Sequence, residues 1–146
     1  MITKKIFFDA NIFNDIFDTT RNTHKYSKAL FDYILKNGFD VYTSCDIITN
    51  IYYITAKYTS KEIALKSLDS LKEIITIIPF AKDELSQTIE LMQNDKDYND
   101  MEDAIQYILA KKETCDFIIT NDKQFTSKEI PALTSEQFCK NNNIGF

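Results

Sequence analysis

Three stretches of this sequence place acids where side chains commonly do chemistry. The first is Ile6-Phe7-Phe8-Asp9-Ala10-Asn11. Its three consecutive bulky apolar residues read as a strand buried on both faces, the pattern of a parallel sheet between helices, and the run stops at a carboxylate. Ligands of open α/β sheets bind in the crevice beyond the carboxyl ends of the strands, so Asp9 stands where a ligand would be met. The second stretch, Asp97 to Asp103, carries Asp97, Asp100, Glu102 and Asp103 around a helix start. An acid in a first helical turn is stabilised by the helix dipole by roughly 0.3 to 1 kcal/mol, and Glu102 is assigned to that role. Asp103 differs, because it directly precedes the apolar face and shares a side of the helix with Asp100 at i,i+3 spacing. The third stretch is Phe117-Ile118-Ile119-Thr120-Asn121-Asp122, a strand with an acid just past its end.

If the helix start abuts the ends of the strands, Asp103 and Asp100 face Asp9 and Asp122. Carboxylates within about 4 Å repel by about 4 kcal/mol per pair at an effective dielectric near 20, and a divalent cation is the natural compensation. The candidate ligands are all hard oxygens, which selects Mg²⁺ or Mn²⁺ over zinc. Such a site activates water and screens phosphate charge, the chemistry of phosphodiester hydrolysis.

Other chemistries are poorly served. His24 is the sole histidine and lies in a polar loop, which leaves Ser-His-Asp and Cys-His mechanisms without support. Gly38 and Gly145 are the only glycines, and neither sits between a strand and a helix to cradle a phosphate. Cys45, Cys115 and Cys139 are odd in number, widely spaced and without a CxxC pair, so no disulfide framework or thiolate zinc site is expected. With no export signal and no apolar run long enough to span a bilayer, the chain reads as a reduced, cytoplasmic protein away from membranes. The net charge of −5 opposes general attraction to phosphate, but metal at an acidic cluster reverses the field locally. Arg21 is the single arginine, so lysines must make any backbone contacts.

The elements that must position these acids alternate between strands and helices. At 146 residues, 44% of them hydrophobic, one domain spanning 1–146 is expected. Asn11 can cap a helix carrying Ile12, Phe13, Ile16 and Phe17, and a second helix runs from His24 to Lys36 and ends at Asn37-Gly38. Phe39 to Thr43 reads as the second strand, with Thr43-Ser44 opening a helix to Lys57. Ser60 caps the next helix, and Ile74 to Ile78, closed by Pro79, reads as the third strand. Lys82 to Gln93 is helical, and Asn99 with Glu102 has capping-box spacing for the helix ending at Lys111-Lys112. Phe117 to Thr120 is the fourth strand and Pro131 to Leu133 a short fifth, followed by a helix with Thr134 and Gln137 at capping-box spacing. The expected architecture is a parallel sheet of four to five strands sandwiched between helices. Asp9, Ser44 and Asp122 then share one rim.

The chain resembles the PIN domain family over essentially its full length. The resemblance rests on Phe8-Asp9-Ala10-Asn11-Ile12, on Thr43-Ser44 followed by Thr49-Asn50-Ile51-Tyr52-Tyr53-Ile54, on Asp100-Met101-Glu102-Asp103-Ala104-Ile105-Gln106, and on Cys115 to Phe125. It implies an Mg²⁺- or Mn²⁺-dependent nuclease in which Asp9, Asp103 and Asp122 are the metal-binding acids. Asn11 and Thr120 match its small polar supporting residues, and Asp100 ranks second as a ligand or orienter of water. The departure is Asn50, which stands where the family commonly has a glutamate; its amide offers a neutral oxygen and one negative charge fewer. Asp46, one turn earlier, is an alternative acid, although a capping partnership with Thr43 is the preferred reading.

Small single-domain members are typically toxic ribonucleases of toxin-antitoxin pairs. The resemblance therefore implies a structured RNA substrate such as tRNA or rRNA, an antitoxin partner, and pairing of the domain as a homodimer. Two other readings stand beside it. One is a catalytically inactive PIN-like module for RNA or protein binding, favoured by Asn50; the other is a DNA-flap nuclease, disfavoured by the short chain. Tyr52, Tyr53 and Tyr98 are read as packing rather than as base-stacking platforms.

Overall fold

The computed structural model describes residues 4–145. The apolar run before Asp9 forms β1 (Lys5–Phe8) at the centre of a five-stranded sheet. On one side lie β2 (Asp40–Ser44) and then β3 (Thr76–Ile78); on the other lie β4 (Phe117–Ile119) and then β5 (Ala132–Leu133). All pairings are parallel, so every strand points its carboxyl end to the same rim. Parallel neighbours require crossovers. Helix pairs build three of them, α1 (Ala10–Phe17) with α2 (His24–Lys36), α3 (Ile47–Tyr58) with α4 (Lys61–Leu71), and α5 (Lys82–Asn94) with α6 (Met101–Lys112); β4 and β5 are joined by the helix-free stretch 120–131, and α7 (Ser135–Asn141) follows β5.

Strand order decides where the site lies. The chain builds outward from β1 through β2 to β3, then returns to the opposite side of β1 as β4. The order therefore reverses between β1 and β4, the place where open α/β sheets leave a crevice. Phe8 pairs with Ile119, so the next residues of the two strands are Asp9 and Thr120. The Asp9 amide still donates to Ile119 O at 3.0 Å, which holds the two strand ends together as they leave the sheet.

The core explains why β1 can be central. Ile6, Phe7 and Phe8 are all fully buried, and the Phe8 ring packs 5.4 Å from Phe13 on α1 and 6.0 Å from Phe31 on α2. Each such side chain contributes roughly 1.5 to 3 kcal/mol on burial. The backbone on either side of Asp9 is thus anchored by packed aromatics, Phe8 before it and Phe13 after it.

Several boundaries differ from those read in the sequence. Thr43 and Ser44 complete β2, and α3 starts only at Ile47. The third strand is confined to Thr76–Ile78, because Ile74 and Ile75 close the turn after α4 with backbone bonds to Leu71 O. The helix ending at Gly38 matches its expectation: Gly38 has φ +72°, Phe39 N–H bonds Ile34 O and Gly38 N–H bonds Leu35 O. That pair of bonds satisfies carbonyls that the helix end leaves open.

Candidate active site

Asp9 is 6% exposed and immediately precedes α1. Its Oδ1 accepts the Ala10 N–H at 2.6 Å, so Asp9 itself caps the helix. The expected cap, Asn11, instead lies in the first turn, where its Nδ2 donates to Asp9 Oδ2 at 3.1 Å. Thr120 Oγ1, at the end of β4, donates to the same Oδ2 at 2.9 Å. Burial pushes the Asp9 carboxyl above its ordinary range; the bonds from Thr120 and Ala10 pull it back, and the charge of Asp122 raises it further.

Thr120 also organises the loop carrying Asp122. Its Oγ1 accepts the Asp122 N–H at 3.1 Å, and Asp122 Oδ1 accepts the Gln124 N–H at 2.9 Å, so the loop turns back on itself. Asp122 is left exposed at the rim.

The second acidic stretch forms the start of α6, one residue later than its spacing suggested. The cap is Asp100, whose Oδ1 accepts the Asp103 N–H at 3.0 Å; the box expected between Asn99 and Glu102 is not made. A cap of this kind contributes about 1 kcal/mol. Asp100 and Asp103 line one small depression with Gln124 and Thr126, which brings the helix start against the loop after β4.

Asp103 shows what this proximity costs. Its carboxyl is pushed up to about 7, first by burial and then by the charges of Asp9, Asp100, Asp122 and Glu102. All four are negative. Glu102, assigned from the sequence to the helix dipole alone, belongs to the same field: burial, Asp46, Asp9 and Asp100 all raise its carboxyl. The reason is geometric, since the second and third residues of a helix point to the same end.

The remaining sequence candidates are held differently. Ser44 is buried at the end of β2, and its hydroxyl donates to the Asp46 carboxylate. Asp46 is therefore not the partner of Thr43, whose Oγ1 donates to Phe8 O at 2.9 Å. Asn50 is exposed, and its Oδ1 accepts from Asn14 Nδ2 at 3.3 Å. The structure thus brings Asp9, Asp100, Asp103 and Asp122 into one field and ties Asn11 and Thr120 to Asp9, whereas Ser44 and Asn50 bond to Asp46 and Asn14.

Gln106 closes the stretch from Asp100 and carries no expected role of its own. It is fully buried one turn after Asp103, and its amide lies close enough to favour the Asp9 carboxylate. Among the described residues, neither Nε2 nor Oε1 is in hydrogen-bonding geometry with any partner. A signal was available in the chain: a glutamine interrupting the apolar face formed by Ala104, Ile105 and Leu109.

Among the described residues, no three His, Cys, Asp or Glu side chains are drawn together closely enough to hold a metal ion as they stand. The donor chemistry nevertheless suits a hard cation: carboxylate oxygens whose charges raise the Asp103 carboxyl, and a buried amide beside them. An apolar groove of about 330 Å³, lined by Ile48, Leu65, Leu68, Leu71, Ile75 and Ile77, lies elsewhere and includes none of these acids. Tyr98 packs in the core with its ring 4.9 Å from Tyr107, but Tyr53 is 69% exposed, contrary to the packing expected of it.

A PIN domain family model matches residues 5–124, which include every acid placed at this rim. The chain belongs to the PIN domain family. Ribonuclease VapC1 of Aquifex aeolicus (strain VF5) is 46% identical to this PIN domain over 140 residues, covering 96% of each chain. Solved structures share the fold at lower identity. VapC20 of Mycobacterium tuberculosis, described as a sarcin-ricin loop cleaving toxin, matches with a TM-score of 0.63 at 15% identity, covering 77% of this chain and 86% of its own. VapBC2 of Rickettsia felis, bound to a DNA fragment from its promoter, matches with a TM-score of 0.67 at 16% identity, covering 89% and 98%. A toxin-antitoxin complex from Klebsiella pneumoniae gives 0.65 at 18% identity, covering 89% and 97%. Among the described residues, no helix is long and apolar enough to cross a membrane.

Proposed function

We propose that this PIN domain is a metal-dependent endoribonuclease and the toxin of a toxin-antitoxin pair. The observation that carries the reading is the position of Asp103, whose carboxyl is held near 7 by burial and by four neighbouring acids. A fold that keeps such mutual repulsion at a strand rim is suited to a divalent cation. Asp9, Asp103 and Asp122 would hold Mg²⁺ or Mn²⁺, with Asp100 and Glu102 beside them. When bound, the metal lowers the pKa of water and offsets the charge of the scissile phosphate.

The chain's own residues supply the positioning. Ala10 N–H, Thr120 and Asn11 fix both oxygens of Asp9, leaving its carboxylate little rotational freedom. Thr120 in addition holds the backbone of Asp122, so one hydroxyl sets the relation between two of the proposed ligands. Asp100 holds the start of α6 and with it the backbone of Asp103.

The RNA substrate and the antitoxin are supported by the 46% identity to a protein named a ribonuclease and by the toxin-antitoxin complexes among the structural neighbours. Exposed apolar side chains on α3 and α4, among them Tyr53, Tyr58, Ile63 and Leu65, suit a protein partner. The test is RNA cleavage by the purified protein with Mg²⁺ or Mn²⁺ and with excess chelator. Metal-dependent cleavage is expected; cleavage that persists in chelator contradicts the reading.

Asn50 favours a second reading, an inactive binding module, because its amide stands in place of an acid and is bonded to Asn14. Calorimetric titration separates the two. A nuclease binds Mn²⁺ more tightly as wild type than as Asp103→Ala, whereas an inactive module binds it equally in both.

A further inference from the structure

The sole arginine and the sole histidine of the chain both converge on one residue outside the acidic rim. Asp15, on α1, is 1% exposed. Its Oδ1 accepts from Arg21 Nε at 2.8 Å, and its Oδ2 accepts from Ser27 Oγ and from Asn121 Nδ2, each at 2.8 Å. His24 Nδ1 lies 2.6 Å from the Asp15 carbonyl, which as an acceptor requires that nitrogen to carry the proton. A carboxylate this buried is stabilised by being fully hydrogen-bonded and paired.

The bond to Asn121 leads back to the rim. A carboxylate only accepts, so it forces the Nδ2 of Asn121 toward Asp15, and Oδ1 then accepts Ser135 N–H at 3.0 Å. This locks Asn121, whose backbone N–H donates to Asn11 Oδ1 at 3.1 Å. With its oxygen so engaged, Asn11 must present Nδ2 to Asp9 Oδ2. Each amide has one allowed orientation: Asp15 and the Ser135 N–H set that of Asn121, and the Asn121 backbone N–H and Asp9 set that of Asn11, so Asp15 acts on Asn11 by holding residue 121 in place.

We propose that Asp15 is a positioning residue for the nuclease site, acting through Asn121 and Asn11 to set the donor that orients Asp9. The inference rests on the nuclease reading above. Hydrogen-bonded residues behind a metal-binding carboxylate typically influence metal affinity or activity by about 10- to 100-fold.

The test compares Asp15→Asn, Ser27→Ala and the reciprocal exchange Asp15→Asn with Asn121→Asp, measuring RNA cleavage in Mn²⁺, melting temperature and the NMR resonance of the Asn11 side-chain amide. Asp15→Asn is expected to lower kcat by about 10-fold or more with KM little changed, and to move the Asn11 resonance. The exchange restores one carboxylate facing one amide and is expected to recover most of kcat. Ser27→Ala removes a bond to the same oxygen away from the relay, so it is expected to lower the melting temperature and leave kcat unchanged. Should Asp15→Asn not fold, Asn121→Ala carries the same expectation for kcat and for Asn11. The proposal is overturned if kcat and the Asn11 resonance stay at wild-type values while only stability falls, or if the exchange recovers nothing. If the wild type does not cleave RNA, the nuclease reading fails, and the Asn11 resonance alone decides whether Asp15 governs the rim.

Discussion

The hydroxyl of Thr120 donates to Asp9 Oδ2 at 2.9 Å while accepting the backbone N–H of Asp122 at 3.1 Å. Thr120 follows β4 and Asp9 follows β1, so this one side chain joins the two strand ends at which the sheet order reverses. Replacing it isolates that link. Thr120→Val keeps the shape but removes both of these bonds and the longer one accepted from Asn11 Nδ2 at 3.4 Å, and it is expected to reduce RNA cleavage by about 10- to 100-fold and stability by about 1 kcal/mol. Thr120→Ser, which keeps the hydroxyl, is expected to retain most activity. Equal activity in Thr120→Val would show that the hydroxyl does not position the acids.

The raised carboxyl of Asp103 makes stability depend on pH in a direction unusual for an acid. The folded, metal-free chain keeps this proton up to about pH 7, whereas an unperturbed aspartate loses it near 3.8. Between those values the folded state binds more protons than the unfolded one, so stability falls as pH rises. Asp9 and Glu102 are shifted the same way. The melting temperature in chelator is therefore expected to fall between about pH 4 and pH 7, and Asp103→Asn to flatten that fall. Added Mn²⁺ is expected to restore stability at the higher pH. A melting temperature that climbs across this window, or one indifferent to Asp103→Asn, would contradict the electrostatic picture.

Gln106 separates stability from activity. Its amide is fully buried and unpartnered, and leaving such a group unmade costs about 1 to 3 kcal/mol. Gln106→Leu is thus expected to leave the metal-free protein as stable as wild type or more so. Cleavage is expected to drop by about 10-fold, because the amide that favours the Asp9 carboxylate is lost. A variant that loses stability and keeps activity would reverse this assignment.

Gly38 tests the fold away from the site. It adopts φ +72° just past α2, and a Cβ built there would meet nothing within 4 Å. The cost of Gly38→Ala is then a backbone cost alone, about 1 kcal/mol. Chemical denaturation is expected to show that loss with cleavage unchanged.

What could be read from the chain depended on the range of the interactions concerned. The central strand, the parallel sheet and the cap at Thr134 with Gln137 follow from local periodicity and spacing, and the structure has them. Asn99 and Asp100 are both competent caps, so spacing alone does not choose between them; the structure uses Asp100, at a helix start that meets the loop after β4. Spacing likewise pairs Asp46 with Thr43, but Thr43 turns its hydroxyl to Phe8 O across the sheet, a contact that spacing within one segment does not reveal. The part of Asp15 was hidden altogether, since its partners Arg21, Ser27 and Asn121 come from three separate segments. Only its position, a polar residue between the apolar residues Phe13 and Ile16, marked it as unusual.

The central claim is that Asp9, Asp103 and Asp122 act together through a divalent metal on RNA. Its most direct measurement is cleavage of a structured RNA in Mn²⁺ by the wild type and by Asp9→Asn, Asp103→Asn and Asp122→Asn, each first shown to be folded. The account requires cleavage by the wild type that stops in excess chelator, with each variant reduced to below about 1% of it. Wild-type rates in the folded Asp9→Asn variant, or cleavage that continues in chelator, would contradict the account.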